Sequence, residues 1–197
     1  MMSYAAGLGT GLSLIVAIGA QNAFVLKQGL MRQHVFWVCL FCALSDAVLI
    51  LLGVTGMARI VAAAPLLADV MPWAGVTFLI WYGARSFRAA WQGGEALRPQ
   101  GGGATLGRTL AVIAALTWLN PHVWLDTVVL LGAVSAQWPD PLVFGLGAMT
   151  GSVLFFFALG FGARLLAPVF ARPRAWQVLE AGIGVVMWSI ALSLIAE

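Results

Sequence analysis

The chain has 197 residues, 62% hydrophobic and only 9% charged, with 10 Lys and Arg against 7 Asp and Glu for a formal net charge of +3. Soluble domains carry roughly 25% charged residues, so this composition excludes an ordinary water-exposed domain. The small positive excess is explained below by loop positions, and no nucleic-acid surface is required.

A bilayer's hydrocarbon core, about 30 Å thick, is crossed by roughly 20 apolar residues in a helix, and six runs of that kind follow one another. Span 1, Tyr4–Leu26, has no Lys or Arg in its first ten residues, unlike a cleaved signal, whose n-region is positive. It carries Gly7-xxx-Gly11 and, near its end, Gln21 and Asn22. Span 2, Val35–Met57, holds Cys39, Cys42 and Asp46. Span 3, Leu66–Trp91, is followed by the hydrophilic, Gly-rich stretch Gln92–Gly107, which reads as a linker. Span 4, Leu110–Ala136, contains LNPHVWLDTVVLLG, with Asn120, Pro121, His122 and Asp126. Span 5, Pro141–Leu166, has Gly147-xxx-Gly151, and span 6 is Ala175–Ala196. The expected fold is a single all-α integral membrane domain over residues 1–197 with six transmembrane helices.

Positive residues near span ends stay on the cytoplasmic side. Lys27 and Arg32 flank loop 1–2, Arg85, Arg88, Arg98 and Arg108 flank loop 3–4, and Arg164, Arg172 and Arg174 flank loop 5–6. The opposite side has Arg59 alone, beside Asp69, Asp140 and Glu197. The odd loops are therefore expected inside and both termini outside. Trp37, Trp73, Trp91, Trp138 and Trp176 fall at span ends, where an aromatic belt would sit.

The chain also resembles itself. Ala74–Ala84 reads AGVTFLIWYGA and Ala181–Ala191 reads AGIGVVMWSIA; GMAR ending at Arg59 answers GFGAR ending at Arg164, and Asn22 loosely answers Asn120. Three spans per half is an odd number, so the second half enters the membrane from the other side. Two inverted three-helix repeats are expected, one over about 4–91, the other over about 108–197, as in many secondary transporters.

Charged groups inside spans are the sharpest signal, because a carboxylate at mid-membrane costs roughly 2.5–3.5 kcal/mol on insertion scales. Asp46 and Asp126 both lie far from a loop, and no basic residue is centrally placed to pair with them. A cation or proton site is the expectation for both. Pro121 has no N–H and frees the carbonyl of Thr117, a break tolerated where protein or water satisfies the backbone. His122 and Asp126 share a helix face; with Asn120 they line a cavity, or they form a buried packing pair. Gln21 and Asn22 grip a substrate, or bond a neighbouring helix as polar glue. The glycine pairs suit close packing within the bundle. Cys39-x-x-Cys42 reads as two small packing residues, the alternative being redox work. Metal-ligand clusters, nucleotide loops and serine triads are missing, so neither metal nor cofactor is expected.

GLSLIVAIGAQNAFVLKQGL, ALSDAVLILLGVTGMAR and TWLNPHVWLDTVVLLG together resemble the LysE family of bacterial amino-acid exporters, closest to its lysine and arginine branch. The resemblance covers nearly the whole chain from Gly7. It implies no enzyme but export of L-lysine or L-arginine across the inner membrane, driven by an ion gradient, and its motif positions fall on Gln21, Asn22, Asp46, Asn120, Pro121 and Asp126. Expected partners are the amino acid, protons and lipid, with no nucleic acid; a homo-oligomer stays open. Antiport against a proton suits the physics, since moving one positive charge outward costs about 2.3 kcal/mol per 100 mV. The alternatives are a neutral amino-acid exporter of the threonine and homoserine type, a cation transporter, a membrane redox enzyme and a purely structural subunit.

Overall fold

The computed structural model describes residues 1–16, 19–56, 65–92, 104–166 and 168–196. Arg59, Arg98, Glu197 and the middle of the linker, 93–103, lie outside the described residues, as does the expected end of span 2 at Met57. Among the described residues there are eight main helices and no strand: α1 (Met2–Ile15), α2 (Ala20–Met31), α3 (Val35–Val54), α4 (Pro65–Trp91), α5 (Leu106–Trp118), α6 (Pro121–Ser135), α7 (Pro141–Gly162) and α8 (Pro173–Ala196). Val35–Val54, Pro141–Leu166 and Pro173–Ala196 are each long and apolar enough to cross a membrane, and α1 with α2 adds a fourth crossing if the pair is one span. α5 and α6 are shorter apolar helices.

Span 1 is not one helix. α1 stops at Ile15, α2 restarts behind Gly19, whose backbone is extended (φ −107°, ψ 173°), and the two axes lie 82° apart. α2 also outruns the expected end at Leu26, reaching Met31 and taking in Lys27, Gln28 and Gly29 as helical residues. It ends in a left-handed residue, Arg32 (φ 54°), whose N–H is bonded to the carbonyls of Gln28 and Gly29, a common way to satisfy a helix's last carbonyls. Span 4 divides as Pro121 predicts. α5 begins at Thr105, whose hydroxyl accepts from the N–H of Arg108, so Leu106, Gly107 and Arg108 belong to the helix and not to the linker or its flank. Proline opens α6, α7 and α8, a position where its missing N–H costs nothing.

α1 lies along α7, α4 along α8, and α3 packs on α7 while crossing α5 and α6. The two glycine pairs of the sequence face each other across the α1–α7 contact. A Cβ on Gly7 would collide with the Phe144 carbonyl, and one on Gly147 with the Tyr4 carbonyl. Without side chains there the two backbones touch, which maximises dispersion contact where no hydrophobic effect separates helices from lipid. Phe24, Val38, Leu79, Tyr82, Ile113, Leu116, Phe156, Ile183 and Met187 form the main core, drawn from six helices. Outward faces remain apolar: Leu44, Val48 and Leu51 on α3, Leu146 and Leu154 on α7, Val178, Val185 and Leu192 on α8 are all exposed. Such continuous apolar surface suits hydrocarbon rather than water. Trp176 departs from the expected aromatic belt; it is 3% exposed, and its indole N–H donates to the Phe170 carbonyl at 2.7 Å.

Candidate functional site

Asp46 is enclosed by α3 and its neighbours, with 5% of its surface exposed. Its Oδ2 accepts a 2.6 Å hydrogen bond from the hydroxyl of Ser152 on α7, a fully buried residue. A hydrogen bond to an ionised group contributes about 1.5–3 kcal/mol, which offsets part of the cost of holding a carboxylate there. Ser45, next along α3, accepts from the Trp118 indole at 3.2 Å, tying the end of α5 to the same region.

Gln21 stands at the first turn of α2, 7% exposed, with its side chain against the Cys42 thiol one turn before Asp46. Its amide nitrogen Nε2 is buried and has no hydrogen-bond partner among the described residues. No side chain caps this helix, and the first N–H groups of any α-helix lack intrahelical acceptors. Donors therefore gather at the start of α2, and a carboxylate lies on the helix beside it. Asn22 turns the other way: its Nδ2 donates to the Ile15 carbonyl at 2.6 Å, bridging the break between α1 and α2.

The second break is built from Asn120. It is 5% exposed and caps α6, its Oδ1 accepting from the N–H of His122 at 3.1 Å. That N–H would otherwise have served the Trp118 carbonyl, which instead accepts from the Trp124 indole at 3.1 Å. The break thus redirects a carbonyl beyond the Thr117 position that Pro121 identifies, and side chains satisfy it. α6 then passes through a π-helical segment, Leu125–Leu130, a feature frequent at functional sites.

The structure does not assemble all the expected residues in one place. The His122 ring contacts the Ser193 hydroxyl of α8 through Nε2 at 3.1 Å, and no hydrogen bond to Asp126 is among its contacts. Asp126 is exposed at the protein surface, beside Leu125, Val129 and Leu130. Cys39 and Cys42 are buried free thiols, and Cys39 donates to the Phe156 carbonyl at 3.1 Å. Sequence reasoning overlooked two groups. Ser152 gives no signal in a helix where hydroxyls are unremarkable. Glu180, 2% exposed on α8 and ion-paired with Lys27, was legible as a further carboxylate inside a predicted span.

Apolar helices long enough to cross a membrane, with a buried carboxylate beside interrupted helices, are the build of a secondary transporter. Residues 12–197 match the family described as LysE type translocator, and the chain belongs to that family. YggA of Aeromonas salmonicida is 44% identical over 191 residues, covering 95% of this chain and 93% of that protein. The arginine exporter protein ArgO of Yersinia enterocolitica is 42% identical over 192 residues, covering 95% and 93%. ArgO of Pectobacterium carotovorum is 41% identical over 192 residues, covering 93% and 92%. No solved structure matches the chain.

Proposed function

We propose that this protein exports basic L-amino acids, L-arginine and with it L-lysine, from the cytoplasm across the bacterial inner membrane in exchange for protons. The observation that carries the reading is Asp46, buried in the bundle beside the uncapped start of α2. Asp46 takes a cation, and the N–H groups of α2 with Gln21 Nε2 take the substrate carboxylate, as half-helix N-termini do in other transporters. Relatives named arginine exporters at 41–42% identity support a guanidinium as that cation.

The reading includes six spans in two inverted repeats, 4–91 and 108–197, joined by the 92–107 linker, with both termini outside. Three observations support it. The first span of each half is interrupted, between α1 and α2 and between α5 and α6. The contacts are symmetric: α1 on α7 answers α3 on α5 and α6, while α3 on α7 and α4 on α8 are their own counterparts. Asp46 and Ser152 lie equally far into their helices, each eleven residues past the first, so their hydrogen bond falls where a two-fold axis would pass.

Exchange for a proton follows from the energetics. Expelling a +1 amino acid against 100 mV costs about 2.3 kcal/mol, while a tenfold outward gradient returns only about 1.4 kcal/mol. One proton inward cancels the charge movement, and Asp46 alternates between proton and substrate. Asn22 and Asn120 hold the breaks open beside it; Asp126 and His122 belong to the outer half of the pathway. The test is exchange from proteoliposomes loaded with labelled L-arginine and challenged outside with L-arginine, L-lysine, L-threonine or sodium. Release by the two basic amino acids alone is expected. No release with either basic amino acid, in protein shown to be folded, would overturn the basic-substrate reading and leave Asp46 as a site for a neutral amino acid's ammonium or for a bare cation.

A further inference from the structure

The mechanism above leaves Glu180 without a task. It is ion-paired through Oε1 with the ammonium of Lys27 on α2, and Oε2 is buried with no hydrogen-bond partner among the described residues. Two further buried oxygens share that condition, Gln28 Oε1 on α2 and Thr109 Oγ1 on α5. All three groups stand one helical turn from members of the same apolar cluster: Gln28 is four residues after Phe24, Thr109 four before Ile113, and Glu180 three before Ile183. They stand at one end of the bundle. α2 touches both α5 and α8, and His34, just past α2, meets the Ala104 carbonyl, just before α5, at 3.0 Å.

Buried acceptors without donors are rare in native structures, and here they exceed what one ammonium can serve. A guanidinium presents five N–H groups in a plane and binds a carboxylate through two of them. Lys27 retains a route to water, its side chain being 19% exposed against 3% for Glu180. Swapping one cation for another keeps the site neutral at every stage. The empty protein is then never left with a lone buried carboxylate, which is strongly destabilising.

We propose that Glu180, with Gln28 and Thr109 at the same end of the bundle, is a second binding station for the cationic side chain of the transported amino acid, and that Lys27 occupies it between transport events. The station rests on the basic-substrate reading above. Its end of the bundle is the one next to the loops rich in Lys and Arg, so the station loads from the cytoplasm and precedes Asp46 on the way out. Lys27 acts as a tethered competitor whose removal raises apparent affinity, because the fraction of competent empty sites increases.

The experiment is equilibrium binding of labelled L-arginine and of L-citrulline, which has nearly the same shape without the side-chain charge, to the purified full-length protein in detergent. Wild type is compared with Lys27→Met and with Lys27→Met/Glu180→Gln. The expected results are arginine binding about tenfold tighter in the single variant and at least about tenfold weaker in the double one, with citrulline unmoved in both. If the single variant fails to fold, the double variant, which has no lone charge, decides alone. A double variant with the wild-type arginine-to-citrulline ratio would reduce the pair to a structural brace and overturn the station while leaving the export reading intact. Wild-type protein that binds neither arginine nor lysine would instead refute the basic-substrate reading, and the station with it.

Discussion

Replacing Asp46 by Asn exchanges one oxygen for an amide nitrogen and removes one charge from the interior. Ser152 donates to Oδ2 at 2.6 Å, and the retained carbonyl of Asn accepts the same bond, so packing around this 5% exposed position is kept. That bond falls from about 1.5–3 kcal/mol to about 1 kcal/mol, while the roughly 2.5–3.5 kcal/mol insertion cost of the carboxylate disappears. Folding stability should therefore stay close to wild type or rise. Substrate binding should not. Removing one partner of a buried charge pair costs about 2–5 kcal/mol, which at 1.4 kcal/mol per decade is about 25-fold to about 4,000-fold in affinity for arginine. The assay is arginine exchange in proteoliposomes at two external pH values, with the melting temperature of the purified variant measured alongside. A folded Asp46→Asn protein that exchanges arginine at the wild-type rate, with the wild-type response to pH, would refute both the cation role and the proton coupling.

Ser152→Ala keeps the charge but removes its donor; arginine KM should rise roughly tenfold, the equivalent of about 1.5 kcal/mol, and an unchanged KM would mean that Asp46 is oriented by something else. Asn120→Ala deletes the cap on the His122 N–H and should lower stability by about 1 kcal/mol, read as a drop in melting temperature that Asn120→Ser, which keeps an uncharged acceptor, should largely avoid. At Gly53 a Cβ would come within 2.7 Å of the Val128 carbonyl, so Gly53→Ala should cost about 1–3 kcal/mol by overpacking; thermal denaturation in detergent checks it.

Much of this molecule was readable in one dimension. Spans 3, 5 and 6 appear as helices within two residues of their expected limits, Pro65–Trp91, Pro141–Leu166 and Pro173–Ala196; for spans 5 and 6 a long apolar run has few alternatives. The break before Pro121 was readable for a covalent reason, the absent N–H. The interruption of span 1 was not, since Gly19 and its apolar neighbours are compatible with a continuous helix and no proline marks the site.

Composition by itself determined that the protein lives in a membrane, and the cost of an intramembrane charge picked out Asp46 and Asp126 alike as candidates. Neither could say which polar groups meet. That Ser152 rather than a basic residue partners Asp46, that Lys27 turns inward to Glu180, and that Asp126 faces outward while His122 reaches Ser193 were decided only by the packing. The reason is geometric. A sequence gives depth along a helix directly, at about 1.5 Å per residue, but which neighbour a side chain faces depends on the rotation of whole helices, and that is set collectively by the close contacts of Gly7, Gly53 and Gly147.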